Sequence, residues 1–300
     1  MTERIRIGTR GSALALAQTQ LVADALTAEV ETRVVRTTGD RIQDRPLPEI
    51  GGKGLFTSEL ETALLEGRID AAVHSMKDMP TEMDARLTVG AVPTRGNPFD
   101  ALVTADGSTL KELPEGARVG TSSRRRAAQL LAVRPDLNAE PIRGNVDTRL
   151  RKLRGDARRA PDALVLAAAG MERLGLGGKI VQLLKPPVML PAVGQGALCI
   201  QTRTGDAATL KLLQPAHDEA AWLAVQAERS FLRALGGGCH TPIAAYAVWT
   251  DEDGAALTGR VLSADGSKCV EGARAGHDPE IVGAKLAEEL LKQGAKELLT

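Results

Sequence analysis

The densest group of chemically capable side chains lies in the segment His74-Ser75-Met76-Lys77-Asp78, which directly follows an apolar stretch. Such a stretch predicts a buried strand, and the ligands of open α/β folds bind beyond the carboxyl ends of these strands. A carboxylate at that position could hold a cation or act as a general acid or base. The competing interpretation is a solvated Lys77–Asp78 ion pair without a function.

Two turns that combine hydroxyl groups with arginines predict a site for anions. The first comprises residues 121–126, with three hydroxyl residues followed by three arginines, and the second contains Arg143, Gly144, Asn145 and, further on, Arg149. The N–H groups at a helix start, hydroxyls and guanidinium groups together bind anions, and arginine is suited to bidentate pairing with carboxylates. The alternative is a charged face that contacts only solvent.

Three cysteines, Cys199, Cys239 and Cys269, fit neither a disulfide framework nor the spacing of a metal-binding CxxC pair. Cys199 lies in an apolar stretch and is interpreted as a small buried hydrophobe. Cys239 follows three glycines in a loop, where a thiol can serve as a nucleophile or as a covalent attachment point. A thiol hydrolase that uses Cys239 with His240 is conceivable on these grounds, although adjacent residues seldom face each other.

The glycine-rich segment 51–54 resembles an ATP-binding phosphate loop only superficially. That motif requires a glycine at position 47 and a hydroxyl residue at position 54, and these positions hold Leu47 and Gly54. The segment is therefore interpreted either as a turn before a helix or as a flexible loop whose Lys53 reaches a bound anion.

The charge distribution favours a small polyanion over nucleic acid as the ligand. The 38 lysines and arginines balance the 38 aspartates and glutamates, so the chain has no global positive field. Residues 118–159, however, carry twelve basic and four acidic side chains and no aromatic one. Since single-stranded nucleic acid is bound by stacking on aromatic rings, this basic segment is not typical of such a protein.

The composition is that of a globular protein of the cytoplasm. The chain is 43% hydrophobic and 25% charged, and its 300 residues exceed the ~100 to 200 of one domain. No apolar run approaches the ~18 residues that cross a bilayer. The charged start lacks the apolar stretch of a signal peptide, and the odd number of cysteines fits a reducing compartment. We therefore expect a cytoplasmic protein without a membrane partner.

Alternating strand and helix patterns predict two α/β units and then a smaller α+β unit. The strands predicted in the first unit are residues 5–8, 31–37 and 69–73. Ser58 and Glu61 predict a capping box for a helix that ends at residue 65. In the second unit a strand is predicted over 140–142. The proline- and glycine-rich crossing at 185–196 is followed by a strand over 197–201 that could return to the first unit.

Seven motifs, taken together and in this order, resemble the porphobilinogen deaminase family, also called hydroxymethylbilane synthases. They are IGTRGS (7–12), GGKGLF (51–56), HSMKDMP (74–80), GTSSRRR (120–126), RGNVDTRL (143–150), LPAVGQGAL (190–198) and GGGCHTPI (236–243). Because independent motifs extend over nearly the whole chain, chance is a poor explanation for the resemblance.

The resemblance implies two periplasmic-binding-protein-like (type II) α/β domains plus a smaller C-terminal α+β domain. We expect domain 1 to comprise residues 1–94 and 196–214, domain 2 residues 98–190 and domain 3 residues 217–300. The implied activity is that of a monomeric transferase of tetrapyrrole and heme biosynthesis. Such an enzyme condenses four porphobilinogen molecules head to tail on a covalently bound dipyrromethane, releases ammonia and hydrolyses off the linear tetrapyrrole hydroxymethylbilane.

The resemblance also assigns roles to single residues. Asp78 is implied as the catalytic carboxylate, and Cys239 as the residue that carries the dipyrromethane cofactor through a thioether. The other residues implied to bind the cofactor are Ser75, Lys77, Ser123, Arg125, Arg126, Arg143 and Asn145. Those implied to bind substrate are Arg10, Ser12, Arg149, Arg173 and Gln195. Lys53 and Phe56 fall in the implied mobile active-site loop, and no metal is implied.

A protein of another class is the second hypothesis: a solute-binding module that clamps a polycarboxylate without chemistry. The lack of a predicted signal peptide counts against it. A covalent adduct on Cys239 would distinguish the enzyme from the binding module, because reversible binding leaves no added mass.

Overall fold

A computed structural model describes residues 3–37, 57–156, 160–237 and 241–299. The chain divides into two units, each with its own core. The first unit comprises Met1–Gly96 and Ala197–Trp222, and the second comprises Asn97–Gly196 and Leu223–Thr300. The predicted three-domain boundaries stay a prediction.

Strands and helices alternate along most of the described chain. The strands are β1 Arg4–Thr9, β2 Glu29–Val34, β3 Ala71–Ser75, β4 Leu87–Ala91, β5 Asp100–Thr104, β6 Arg118–Gly120, β7 Asn138–Glu140, β8 Ala163–Ala167, β9 Gln182–Leu184, β10 Leu198–Arg203, β11 Ile243–Thr250, β12 Gly254–Leu262 and β13 Cys269–Gly276. The α-helices are α1 Ala13–Ala25, α2 Ser58–Leu65, α3 Arg124–Val133, α4 Val146–Leu153, α5 Ala168–Arg173, α6 Ala207–Leu213, α7 Glu219–Ala234 and α8 Pro279–Lys292.

The sheet of the first unit has the order β2-β1-β3-β10-β4. Strand β1 pairs in parallel with β2 and β3, whereas β10 runs antiparallel to β3 and β4. Apolar clusters cover both of its faces, one containing Val22 of α1 and Leu213 of α6, the other Leu60 and Leu64 of α2. A central strand buried on both faces must be apolar, which explains the run of small apolar residues in β3.

The larger sheet of the second unit repeats this arrangement, with the order β7-β6-β8-β5-β9. Strand β6 pairs in parallel with β7 and β8, and β5 runs antiparallel to β8 and β9. In both sheets one antiparallel strand is therefore inserted at the same place in the order. Together with the small C-terminal sheet described next, this confirms the predicted fold class.

A three-stranded antiparallel sheet, β11-β12-β13, forms the C-terminal part of the second unit. Its core contains Phe231 of α7 and Leu286 of α8, both without solvent exposure. Asp278 caps α8 by accepting a hydrogen bond from the amide of Ile281 at 3.0 Å. Beyond the end of α7 the chain turns through Gly236, whose φ of +66° is a conformation that glycine adopts without strain.

Two local expectations are wrong for identifiable reasons. Helix α2 begins at Ser58 itself, and its N-cap residue is Thr57, whose side chain makes no capping hydrogen bond. Ser58 therefore does not take the N-cap position that the predicted capping box with Glu61 requires. Strand β7 ends at Glu140 instead of beginning there. Since Pro141 follows and has no backbone N–H to donate, the strand cannot continue through it.

The close contact between α7 and α8 generates a first prediction, for Gly283→Ala. Helix propensity alone would favour alanine by about 1 kcal/mol. A Cβ at this position, however, would overlap the carbonyl oxygen of Ala227 and lie 2.6 Å from the amide nitrogen of Phe231. Because backbone atoms cannot yield as a flexible side chain does, we expect a net loss of roughly 2 kcal/mol in the free energy of unfolding, measured by urea denaturation.

The matched control for this prediction is Gly178→Ala. A Cβ at Gly178 would have no neighbour within 4 Å, so its free energy of unfolding should stay near that of the wild type. If Gly283→Ala is as stable as this control, the two helices do not pack backbone to backbone at that point.

Candidate active site

The Lys77–Asp78 segment forms a short 3₁₀ turn, Met76–Asp78, at the carboxyl end of β3. The side chains of Met76 and Met79 are buried and anchor the turn, and the amide of Met76 donates to the carbonyl of Ala197 at 3.0 Å. Lys77 is half-buried and Asp78 is exposed. The turn therefore holds the exposed Asp78 carboxylate on a fixed backbone at the end of the strand, which is where the sequence predicts it.

Three further predicted residues lie at the same edge of the first sheet, because β1 and β3 are parallel. Arg10 and Ser12 follow the carboxyl end of β1. The Ser12 hydroxyl caps α1 by accepting from the amide of Ala15 at 3.2 Å. Ser75 receives a hydrogen bond of 3.0 Å from the amide nitrogen of the buried Gln18 side chain. Gln18, which sequence patterns did not single out, thus fixes the hydroxyl next to the Lys77–Asp78 turn.

His74 is the titratable residue buried directly behind this edge, with 6% of its surface exposed. Burial lowers its pKa from 6.5 to about 4; the Arg10 charge adds to this effect, and a contact with Gln201 opposes it. The imidazole is therefore neutral at physiological pH. A neutral imidazole adds no positive charge to this edge of the first unit, which already carries the cationic side chains of Arg10 and Lys77.

In the second unit, β6 ends at Gly120 and the hydroxyl turn leads into α3. Ser122 donates to the carbonyl of Ile142 at 2.7 Å, and the Ser123 hydroxyl caps the helix by accepting from the amide of Arg126 at 3.4 Å. The hydroxyls thus set the start of the helix that carries Arg125 and Arg126. Ser123 lies where the sequence predicts it, although its described contact is to the helix backbone.

Arg125 and Arg126 are buried and share one carboxylate, that of Asp100. Arg125 donates from Nη1 to Asp100 Oδ2 at 2.8 Å and to the carbonyl of Leu190 at 2.6 Å. Arg126 donates from Nε to Asp100 Oδ1 at 2.8 Å and from Nη1 to the carbonyl of Val165 at 3.1 Å. The Nε of Arg125 is buried and has no hydrogen-bond partner within the residues that the structure describes.

Gln195, predicted from the LPAVGQGAL motif, completes this cluster. Its Nε2 donates to the carbonyl of Pro98 at 2.7 Å and to Asp100 Oδ1 at 3.1 Å, and its Oε1 accepts from Arg126 at 3.4 Å. Burial alone would raise the pKa of Asp100. The charges of Arg125 and Arg126 outweigh that effect and hold the pKa well below its usual range.

Asp100 is the main residue that the sequence analysis missed. It begins the apolar strand β5 and has no exposed surface. The available signal was an aspartate at the start of an otherwise apolar strand, since a buried charge requires a partner. Its partners lie 25, 26 and 95 residues away, so spacing along the chain could not identify them.

The second arginine-bearing turn follows β7 one βα unit later. Asn145 caps α4 by accepting from the amide of Thr148 at 3.0 Å, and Arg149 donates from Nε to the carbonyl of Gly144 at 2.8 Å. Gly144 has a φ of +109°, and a Cβ there would lie 2.6 Å from Cγ2 of Thr148. The turn therefore requires glycine to bring Arg149 against its backbone.

Like charges surround Arg149 in the second unit. Burial, together with the positive charges of Arg126 and Arg143, lowers its pKa to about 10. Arg173 donates from Nη2 to the carbonyl of Gly196 at 2.6 Å, and burial lowers its pKa too. Since an anion relieves the mutual repulsion of Arg126, Arg143 and Arg149, these three guanidinium groups are suited to bind carboxylates.

Three predicted residues, Lys53, Phe56 and Cys239, lie outside the described residues. Two cysteines lie within the described residues. Cys199 is buried, as its apolar strand predicts, and Cys269 is exposed. Although Cys269 is exposed overall, partial burial of its sulfur raises the pKa of the thiol. A thiol with a raised pKa is a poor nucleophile at neutral pH.

The described part of the chain contains neither a metal-binding cluster nor a membrane-spanning helix. No three His, Cys, Asp or Glu side chains among residues 3–37, 57–156, 160–237 and 241–299 converge to hold a metal ion. None of the helices in those same ranges combines the length and the apolar character needed to span a bilayer.

Comparison with known proteins gives matches over nearly the whole chain. The family profile described as "Porphobilinogen deaminase, dipyromethane cofactor binding domain" matches residues 5–211, and the profile "Porphobilinogen deaminase, C-terminal domain" matches residues 222–292. The porphobilinogen deaminase of Brevibacillus brevis is 50% identical over 98% of this chain and 96% of its own. That of Roseiflexus sp. is 50% identical over 100% of this chain and 99% of its own.

Likeness to solved structures is more distant. A periplasmic substrate-binding protein of an ABC transporter from Coxiella burnetii is 16% identical and gives a TM-score of 0.45, over 73% of this chain and 94% of its own. At this distance the likeness supports no conclusion about function.

The low pKa of His74 generates a second prediction, on the pH dependence of stability. Between pH 6.5 and about 4 the unfolded chain binds a proton at His74 and the folded protein does not. The free energy of unfolding should therefore fall as the pH is lowered, by about 1.5 kcal/mol between pH 6.5 and 5. His74→Asn should remove this part of the dependence, as measured by urea denaturation at a series of pH values.

The control is His277→Gln, because the side chain of His277 is exposed. This variant should keep the wild-type dependence on pH. If the free energy of unfolding depends on pH equally in wild type and in His74→Asn, the imidazole of His74 is hydrated or protonated in the folded protein.

Proposed function

Because this chain belongs to the porphobilinogen deaminase family, we propose that it condenses four porphobilinogen molecules head to tail and hydrolyses off the linear tetrapyrrole hydroxymethylbilane. The family resemblance seen in the sequence motifs is confirmed. The enzyme is a deaminating transferase of tetrapyrrole biosynthesis and uses the family's dipyrromethane cofactor. The structural observation that carries the proposal is the arginine cluster of the second unit, which matches the many carboxylates of cofactor, substrate and product.

The residues of this cluster fit the dipyrromethane. Its carboxylate side chains require charge-assisted donors, and the buried Nε of Arg125 has no partner within the described residues. The residues of the second unit that we propose for cofactor binding are Ser123, Arg125, Arg126, Arg143 and Asn145. When bound, the dipyrromethane supplies the pyrrole carbon to which the first porphobilinogen is joined. We propose that Cys239, in the GGGC motif, holds it through a thioether.

Asp78 is proposed as the catalytic carboxylate. Its position on an anchored turn, with its side chain exposed, leaves the carboxylate oxygens able to accept hydrogen bonds from pyrrole N–H groups. A carboxylate also offsets the positive charge that develops as ammonia leaves porphobilinogen, which stabilises the transition state more than the ground state. Lys77 cannot replace it, because a second cation would oppose that charge.

The remaining proposed roles divide by unit. In the first unit Ser75 and Lys77 bind the cofactor, and Arg10 and Ser12 bind substrate. In the second unit the residues proposed to bind substrate are Arg149, Arg173 and Gln195. Lys53 and Phe56 are proposed for the active-site loop.

The proposal extends to the setting in which the enzyme works. A chain with balanced charge and with no aromatic residue in its basic segment suits a small polyanion, so porphobilinogen is the proposed partner and nucleic acid is not. We propose that the protein acts as a monomer in the cytoplasm, a reducing compartment in which its cysteines stay reduced.

A third prediction tests Asp78. Asp78→Asn keeps the shape of the side chain but loses its charge, so we expect it to fold and to release ammonia at least ~10²-fold more slowly. The measurement is single-turnover ammonia release by cofactor-loaded protein. The matched control is Asp84→Asn, because Asp84 is engaged in a local pair with Arg86, at 2.6 Å, and has no proposed role. Release at the wild-type rate by Asp78→Asn would transfer the catalytic role to another residue.

A fourth prediction tests the attachment point by intact-mass measurement on purified protein. Wild type should carry the added mass of a dipyrromethane, and Cys239→Ser should lack both that mass and activity, because a hydroxyl does not form the thioether. Cys269→Ser and Cys199→Ala, at the exposed and the buried cysteine, should keep both. Wild type without added mass would favour the solute-binding module, and an adduct retained by Cys239→Ser would place the attachment elsewhere.

A further inference from the structure

The carboxylate of Asp100 is the point at which three side chains of the second unit meet. Oδ2 accepts from Arg125 at 2.8 Å, and Oδ1 accepts from Arg126 at 2.8 Å and from Gln195 at 3.1 Å. The side chain has no exposed surface, so none of these bonds competes with water. Such charge-assisted bonds in a water-free setting are short and directional.

The backbone of Asp100 is fixed independently of these contacts. It begins β5, which lies inside the sheet between β8 and β9, and its register partners are Ala167 and Leu184. Ala167 is the last residue of β8, so Asp100 lies at the edge of the sheet where β8 ends. A charged group held on a paired strand is a more rigid reference than one on a loop.

Arginine side chains, by contrast, have many rotamers and must be held if they are to meet a ligand in one geometry. Helix α3 fixes only the Cα and Cβ atoms of Arg125 and Arg126. The described contacts of the two guanidinium groups outside Asp100 are to the carbonyls of Leu190 and Val165 and to the Gln195 amide. Asp100 is therefore the only ionised group among these contacts and the one that both guanidinium groups share.

We propose that Asp100 is a positioning residue, which holds Arg125 and Arg126 in the orientation in which they bind carboxylates of the dipyrromethane and the growing chain. The proposal rests on the function proposed above and adds a residue to it. Asp100 does not contact the ligand carboxylates, because its oxygens are engaged by the protein and like charges repel. It acts through the two arginines.

A purely structural alternative gives Asp100 only the task of neutralising buried positive charge. The two roles differ in what glutamate would do. Asp100→Glu keeps the charge but displaces it by one methylene, so neutralisation is retained while the guanidinium groups must shift. Asp100→Asn removes the charge and keeps the shape. Comparison of the two variants therefore separates the effect of the carboxylate's position from the effect of its charge.

The first measurement is steady-state kinetics with porphobilinogen. For both variants we expect KM to rise by about tenfold, with kcat changed less, because the arginines bind the carboxylates in ground and transition state alike. The matched control, Asp162→Asn, should keep the wild-type KM. Asp162 is an exposed aspartate of the same unit, and its side chain accepts a hydrogen bond from the backbone amide of Arg118 at 2.7 Å.

The second measurement does not depend on activity. Phenylglyoxal modifies accessible arginines, and the modified positions are mapped by peptide mass spectrometry. Arg125 and Arg126 should be protected in wild type and modified in both Asp100 variants. The buried Arg229 serves as a folding control and should stay protected throughout. If wild type releases no ammonia and carries no adduct, the proposed function fails, yet the modification pattern still reports on Asp100.

Wild-type KM together with wild-type protection in Asp100→Glu would overturn the proposal, since a displaced carboxylate would then serve as well as the native one. If Asp100→Asn does not fold, the results for Asp100→Glu are sufficient to distinguish positioning from charge neutralisation. A folded Asp100→Glu protein with raised KM and with modified Arg125 and Arg126 supports positioning, because charge neutralisation is intact in that variant.

Discussion

The arrangement of the second unit depends on one buried carboxylate that faces two guanidinium groups. Removing Asp100, Arg125 and Arg126 from water is costly, and the cost is offset only when every charge has a partner of good geometry. The described contacts meet that condition for Asp100, whose oxygens accept three hydrogen bonds. Two positive charges against one negative charge leave a surplus, and that surplus makes the cluster receptive to a further carboxylate.

The requirement that buried polar groups have partners also links this cluster to the C-terminal sheet. The link is Gln129, a fully buried side chain on α3. Its Nε2 donates to the carbonyls of Arg125 and Leu190, and its Oε1 accepts from the amide of Leu190 at 2.8 Å and from Arg260 at 2.9 Å. Arg260, on β12, also pairs with Glu271 of β13. Since a buried polar network stabilises a structure only when its members are satisfied, α3, the crossing segment and the small sheet are fixed together.

Much of this fold could be predicted from local patterns, and the exceptions have physical reasons. Helix α3 was predictable because hydroxyls precede it and Pro135 follows it. Strand β4 was not recognised, because Gly90 interrupts its apolar pattern. In the structure a Cβ at Gly90 would lie 2.9 Å from side-chain atoms of both Leu213 and Thr202, so this glycine permits close packing inside a strand. A pattern analysis counts the same residue as a break.

In the candidate site, too, sequence patterns predicted some features and missed others. The positions of Asp78 and of both arginine-bearing turns followed from the end of a strand or the start of a helix, which are local features of the sequence. The contacts of Arg125 and Arg126 did not, because Asp100 lies on a strand inserted antiparallel into the sheet and Gln195 lies on the crossing segment. Sequence patterns therefore indicated which side chains carry charge and left open which of them pair with the protein.

Two aspartates of this chain show how the environment sets the role of a carboxylate. Asp100, enclosed by arginines, stays ionised over the whole physiological range and has its oxygens engaged, so it can neither move a proton nor contact a developing charge. Asp78, by contrast, is exposed and lies on a short turn of the first unit. Binding a polycarboxylate requires arginines, and assisting the loss of ammonia requires a carboxylate that arginines have not already neutralised. In the proposed function these two requirements fall on different units of one chain.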